Sequence, residues 1–326
     1  MHSLGIILFV YFGVMNLIDM HYDLLSILYY SYLRNDFKYV KELQKYFNDN
    51  NVRGLIANLY FMSEREMAQE MMGKAIDVVE MFKVSTELFK KYFPNIDVVF
   101  SIEGCDYIKD IKELKQLYDL GLRSILLVWN NKNKYGSGAK ATGGLTEEGK
   151  NFIIEAIKLG ITIDLSHMNK ETFIDTVDLL KDAKKNGLNP KVIVSHSNVA
   201  DLYSHPRNIT ENQISSLSEF SPVIGLVSYA MFLTKEEEDT EVLKHKYLEH
   251  IKRVVEILGI DAVGVSTDDM GYDNVLFDNP VEKIILPYEK LKDELTKLLR
   301  EEFSEEEIAK ILYLNIKNKL FREEEK

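Results

Sequence analysis

The chain contains one cysteine, Cys105, in 326 residues. No disulfide within the chain is therefore possible, and no cysteine-based zinc knuckle can form. That usage fits a reducing cytoplasm, which is the expected location. Positive charge is also scarce: 40 Lys and Arg face 52 Asp and Glu, for a formal net charge of -12. A broadly acidic surface is a poor match for nucleic acid or an anionic membrane. No low-complexity linker and no short-period repeat divides the chain. Ser3–Ile18 is strongly apolar, but no Lys or Arg precedes it and no small-residue cleavage site follows. It is a little short for a membrane span, so stable membrane insertion is not expected.

What is present is a composition of 46% hydrophobic and 28% charged residues, which suits a large globular core. Residues 1–14 read as an apolar N-terminal extension, with Met15 as a natural start; the alternative is an anchor that holds the protein on a membrane. Residues 15–322 read as a single domain and 323–326 as a charged tail.

Short apolar, β-branched runs recur at Met15–Asp19, Gly54–Phe61, Asp97–Glu103, Ser124–Trp129, Thr162–Ser166, Val192–Ser195, Val223–Ser228 and Ala262–Thr267. Helical patterns fall between them: Ser63–Phe93, Thr146–Leu159, Lys170–Asn186, Thr210–Ser218, Lys235–Leu258 and Val281–Glu301. Alternation of strand and helix predicts a parallel sheet with right-handed crossovers. About eight such units in this length predict an α/β fold, a (β/α)₈ TIM-type barrel of the metal-dependent hydrolase kind with extra helices. A doubly wound open sheet is the alternative.

In such a barrel, chemistry sits at the C-terminal ends of the strands. The first run leads into Asp19-Met20-His21-Tyr22-Asp23, the third ends in Glu103, the fifth in His167, the sixth in Ser195-His196-Ser197 and the eighth in Asp268-Asp269. Only seven histidines exist, and three of them lie at these ends. Strand alternation is expected to put Asp19, His21 and Asp23 on one face. Nitrogen and oxygen donors of this kind suit zinc, with manganese or cobalt able to substitute. One metal would take His21, Asp23 and Glu103; a second would take Glu103, His167 and His196, with Glu103 as the bridge. A hydroxide between the metals would be the nucleophile, and Asp268 would relay its proton to the leaving amine.

Each residue also has a plainer reading. Asp19 and Asp23 could cap the following helix, and His167 could be a capping or core histidine. Glu103 could pair with a lysine. Ser195 could suggest a serine nucleophile, but no Gly-x-Ser-x-Gly turn surrounds it. Cys105 reads as a small core residue and Trp129 as a pocket wall. His2, His245 and His250 read as structural or solvent-facing. These separate readings lose force because all the groups would have to gather at one barrel face by chance.

From Met15 to the C-terminus the chain resembles the membrane (renal) dipeptidase family of binuclear zinc peptidases. The residues that carry the resemblance are Asp19–Asp23, Ile102-Glu103-Gly104, Gly143-Gly144-Leu145-Thr146 and Ile163-Asp164-Leu165-Ser166-His167. Ser195-His196-Ser197-Asn198, His205-Pro206-Arg207-Asn208 and Asn315 in Ala309–Leu320 complete it. The resemblance implies a barrel, two zinc ions and hydrolysis of dipeptides with a free C-terminal carboxylate. It implies the same five metal ligands and Asp268 as the acid/base group. Arg207 becomes a clamp for the substrate carboxylate, Tyr229 a substrate contact, Asp19 a supporting residue behind the ligands, and a homodimer the plausible assembly.

The family pattern is altered at three places. Trp129-Asn130 stands where the family often has His-Asn, leaving Asn130 to assist an oxyanion. The usual D-x-D-G reads Asp268-Asp269-Met270-Gly271, which leaves the acid/base role between Asp268 and Asp269. Val227-Ser228-Tyr229 replaces Asn-Phe-Tyr. Two other functions fit the same residues: an amidohydrolase acting on another small amide or lactone, and a non-catalytic binding protein on this scaffold.

Overall fold

Eight parallel strands pair in chain order and close on themselves: β1 (Leu17–Tyr22), β2 (Val52–Tyr60), β3 (Asp97–Glu103), β4 (Leu122–Leu126), β5 (Thr162–Asp164), β6 (Val192–Val194), β7 (Val223–Val227) and β8 (Val263–Ser266). This computed structural model describes residues 15–60, 77–268, 285–286 and 290–321. The closed parallel barrel is the predicted one, and the open doubly wound sheet is excluded. All eight apolar runs are strands, with ends shifted by a few residues.

Helices cover the outside. Glu147–Lys158 starts at the Thr146 cap, whose side chain accepts from the Gly149 amide, and Glu211–Ser216 starts at a Thr210/Gln213 capping box. Lys170–Lys185, Thr240–Leu258 and Leu291–Leu299 fall within their predicted spans. Of the pattern at Ser63–Phe93, Val78–Tyr92 is helix; residues 61–76 lie outside the described residues, as do 1–14 and 323–326. Among the described residues, four α-helices are additional to the sequence reading: Leu24–Arg34, Lys38–Asp49, Ile111–Asp119 and Glu305–Ala309. Leu24–Arg34 is apolar over most of its first turns and buries Leu24, Leu25, Ser26, Ile27 and Leu28, so it shows little of the one-sided stripe that marks a helix. Among the described residues, no helix is long and apolar enough to cross a membrane.

Inside the barrel, Ile18, Met20, Ile56, Val99, Ile193, Val223 and Ile316 form a separate apolar floor. A Cβ at Gly264 would collide with the Met20 sulfur, so glycine there makes room for this plug. Asn315 holds the C-terminal helix to the start of β8 by donating to the carbonyls of Ile260 and Val263, both at 2.8 Å.

The first strand departs from simple alternation. It runs on through Tyr22, so Asp19 and His21 lie within the strand rather than after it. Asp19 pairs with Leu55 and Tyr22 with Ala57, three steps on one strand against two on the other. The extra residue is a bulge. It breaks the expected common face of Asp19, His21 and Asp23, because the Asp19 carboxylate turns to β8 while His21 turns to the mouth.

Candidate active site

The strand ends bring His21, Asp23, Glu103, His167, His196 and Asp268 together. Glu103 is at the centre and almost fully buried. Its Oε2 lies 3.4 Å from His21 Nε2, while its Oε1 lies 2.7 Å from His167 Nε2 and 3.6 Å from His196 Nε2. The two oxygens thus face different groups. On the first side, His21 Nε2 is also 3.6 Å from Asp23 Oδ1 and 3.5 Å from Asp268 Oδ1. On the second, the Nε2 atoms of His167 and His196 are 2.9 Å apart.

Each imidazole points Nε2 inward and is held from behind at Nδ1. Asn58 lies 2.9 Å from His21 Nδ1, Asn130 Oδ1 lies 3.1 Å from His167 Nδ1, and Ser195 Oγ lies 2.7 Å from His196 Nδ1. Such partners fix ring orientation and tautomer. Ser195 is completely buried behind its histidine, which is unlike an exposed nucleophile.

The backbone is unusual at two of these positions: His167 has φ of 69° and Asp268 has φ of 51°. Non-glycine residues rarely take the left-handed region, and such conformations gather at functional sites. The Asp268 amide donates to the His21 carbonyl at 3.2 Å, which ties the end of β8 to β1.

Burial and charge divide the protonation states. Burial, with Arg207 adding to it, lowers the His167 pKa to about 3, and burial with His21 holds His196 well below its usual value. Both rings are neutral and keep a lone pair. Burial opposes charge on His21 as well, but Glu103, Asp23 and Asp268 outweigh it and raise its pKa. Burial raises Asp268 well above the usual carboxylate range, against the pull of His21. The Asp23 pKa rises to about 6, again through burial.

Above these groups is a cavity of about 160 Å³, lined in part by Asp23, Glu103, His167 and Asp268. Trp129, Asn130, Arg207 and Tyr229, all singled out from sequence, are on its wall. Arg207 is 7% exposed and donates to the His196 carbonyl at 3.1 Å. Its guanidinium packs 5.6 Å from the Phe232 ring centre. Burial lowers its pKa to about 10, which still leaves it charged at neutral pH.

A profile for membrane dipeptidase (Peptidase family M19) matches residues 61–325, which is more than half of the chain. The chain belongs to the membrane dipeptidase family. An uncharacterized dipeptidase of Schizosaccharomyces pombe is 29% identical over 180 residues, covering 53% of this chain and 41% of the relative. This membrane dipeptidase family chain spans about half the length of the curated relatives it matches. Among solved structures, a metallopeptidase of family M19 named dipeptidase AC aligns with TM-score 0.73 at 21% identity, over 95% of this chain and 98% of the other. A metallopeptidase from Rhodobacter sphaeroides, liganded with a phosphinate mimic of the dipeptide L-Ala-D-Ala, aligns with TM-score 0.71 at 19% identity, over 95% and 99%. At these identities the structural likeness speaks for the fold.

A metallopeptidase family implies a divalent metal, and the atoms of this site fit one. His21 Nε2 and Asp23 Oδ1 are buried without a hydrogen-bond partner, and both face the cluster. Donor atoms of His21, Glu103 and His196 lie within 4.8 Å of one another. Buried polar atoms left unpaired are costly unless something else satisfies them. A cation does so for a set of imidazoles and carboxylates.

Asp19 is not on the cavity. Its Oδ1 accepts from the amides of His21 at 3.1 Å and Thr267 at 3.0 Å, and its Oδ2 from the Thr267 hydroxyl at 2.5 Å. Asp269 lies outside the described residues. The sequence reading missed Asn58, because an asparagine inside a strand has no local signal of its role. It also assigned no function to Lys140, in the loop after β4, or to Met231 and Phe232, in the 3-10 turn that follows Tyr229, all three of which line the cavity. His205, quoted only as part of a motif, lines it too.

Proposed function

We propose that this chain is a zinc-dependent dipeptidase that cleaves dipeptides bearing a free C-terminal carboxylate. The observation that carries the reading is the division of Glu103, with one oxygen toward His21 and the other toward His167 and His196. That arrangement supports two metal positions bridged by one carboxylate, His21, Asp23 and Glu103 on one side and Glu103, His167 and His196 on the other. The mixed nitrogen and oxygen donors favour zinc, with manganese or cobalt as substitutes. Bound there, the metals would polarise the scissile carbonyl and make water acidic enough to attack at neutral pH.

The chain's own groups supply the rest. Asp268, beside His21 and on the cavity wall, accepts the proton of the attacking water and returns it to the leaving amine. Its raised pKa suits a group that must both take and give a proton. Arg207 receives the C-terminal carboxylate in two-point fashion. It is a buried cation with no carboxylate ion pair among the described residues, so substrate would provide the missing anion. Trp129 and Tyr229 close the walls, and Asn130 offers its amide nitrogen to the substrate oxygen while its Oδ1 steadies His167. The Rhodobacter sphaeroides protein's dipeptide mimic supports a ligand of this size and chemistry.

Arg207 also weighs against a neutral amide or lactone as substrate, since either would leave the guanidinium unpaired. The test is metal analysis combined with a dipeptide panel and the matching C-terminal amides. Two metals per chain, chelator-sensitive hydrolysis and strong preference for the free acid are expected. Equal rates on acids and amides would remove the clamp, and fewer than two metals with no hydrolysis would favour a binding protein. We carry a cytoplasmic homodimer in the same proposal; light scattering and cell fractionation test it.

A further inference from the structure

The loop after β4 brings a second cation to the cavity. Lys140 is on the wall with Arg207 and His205. Its backbone is pinned rather than loose. The Lys140 amide donates to the Asn130 carbonyl at 2.8 Å, and the Ala141 amide to the Gly138 carbonyl at 2.9 Å. Asn169 donates to the carbonyls of Ala141 and Gly143 at 2.8 and 2.9 Å. Gly138 lies so close to Trp129 that a Cβ there would collide with the Trp129 carbonyl, so only glycine lets the loop fold down over the wall.

The Lys140 ammonium has no ion pair or side-chain hydrogen bond among the described residues. The pocket carboxylates Asp23, Glu103 and Asp268 are gathered around His21, and none of them forms an ion pair with Lys140. Lys140 and Arg207 act on the same neighbour: His205 has its pKa lowered to about 4 by burial first, then by Arg207 and Lys140. The cavity's Arg207 end therefore holds one buried and one exposed cation, and the α-carboxylate of a dipeptide satisfies only the first.

We infer that Lys140 selects dipeptides whose C-terminal residue has an acidic side chain, Asp or Glu. This rests on the proposed dipeptidase activity, with Arg207 holding the α-carboxylate. The side-chain carboxylate then meets the Lys140 ammonium in a charge-assisted hydrogen bond. Lys140 is exposed, so the gain is modest, roughly fivefold in kcat/KM, and is screened by salt.

The test compares the metal-loaded enzyme on Ala-Glu against Ala-Gln and on Ala-Asp against Ala-Asn, in both L,L and L,D forms. The acid is expected to win by roughly fivefold at low salt, with the ratio falling toward one in about 0.5 M salt. Lys140→Met should bring the ratio to one, and Lys140→Glu should invert the preference toward Ala-Lys. Hydrolysis of all four at equal kcat/KM overturns the role of Lys140 and leaves the dipeptidase reading standing. A ratio that survives in Lys140→Met also overturns it. No hydrolysis of any dipeptide overturns both.

Discussion

The Asn58 side-chain nitrogen Nδ2 lies 2.9 Å from Nδ1 of His21, the ring nitrogen that faces away from the site, while the Asn58 Oδ1 is buried without a hydrogen-bond partner. For Nε2 to offer a lone pair to a metal, the ring proton must sit on Nδ1. The group meeting it must then be an acceptor, which the amide oxygen supplies when it faces the ring. Asn58→Leu is expected to weaken metal binding by about 10- to 100-fold. Asn58→Asp keeps an acceptor and should retain affinity. Competition titration against a chelating dye measures both, and unchanged affinity in Asn58→Leu refutes the role.

Asp268 differs from the other carboxylates of the site. It is held in the left-handed region, its side chain is 17% exposed, and it is on the cavity wall. Asp268→Asn should keep the wild-type metal content, since the five proposed ligands remain, yet lose about 100-fold or more in kcat. Metal content and turnover measured on one preparation separate the effects. If Asp269→Asn is the inactive variant instead, the proton relay is one residue further along.

Sequence periodicity made the barrel legible because eight buried strands each leave a compact apolar run. Residues at the end of those runs or directly after them, such as Glu103 and His196, were legible for the same reason: their location follows from chain order. Asn58 and Lys140 were not. Asn58 works from inside a strand through a contact 37 residues away, and Lys140 reaches the cavity through a loop fold that depends on Gly138 and Asn169. Alternation likewise misplaced Asp19, since a bulge is a two-strand property that one strand's sequence does not display.

Asp19 reinforces the seam where the barrel closes. Strands β1 and β8 share one registered pair, Asp19 with Val265, whereas β2 and β3 share seven. The Asp19 carboxylate adds bonds to the Thr267 amide and hydroxyl across that short seam. Asp19→Ala removes both of these bonds from buried groups and should cost about 2–4 kcal/mol in unfolding free energy. Thr267→Val removes one hydroxyl and should cost less, about 1 kcal/mol. Urea unfolding of the metal-free protein measures both. If Asp19→Ala unfolds at the wild-type midpoint, closure does not depend on this carboxylate.

His250 gives the fold its own acid sensitivity, apart from the metal site. The Val199 amide donates to its Nδ1 at 2.9 Å, which joins the long helix Thr240–Leu258 to the segment after His196. Burial, with Lys246 adding to it, lowers the His250 pKa to about 4. In the unfolded chain it returns to about 6.5. Between those values the unfolded chain binds a proton that the folded chain refuses, so stability rises with pH across this window. The full contribution is present above about pH 6.5 and is lost as pH falls toward 4, up to about 3 kcal/mol for a shift of this size. His250→Gln can still accept from Val199 but does not titrate. Urea midpoints from pH 7 to 4.5 should therefore fall more steeply in wild type than in His250→Gln. Parallel curves for the two proteins mean that His250 is not the titrating group.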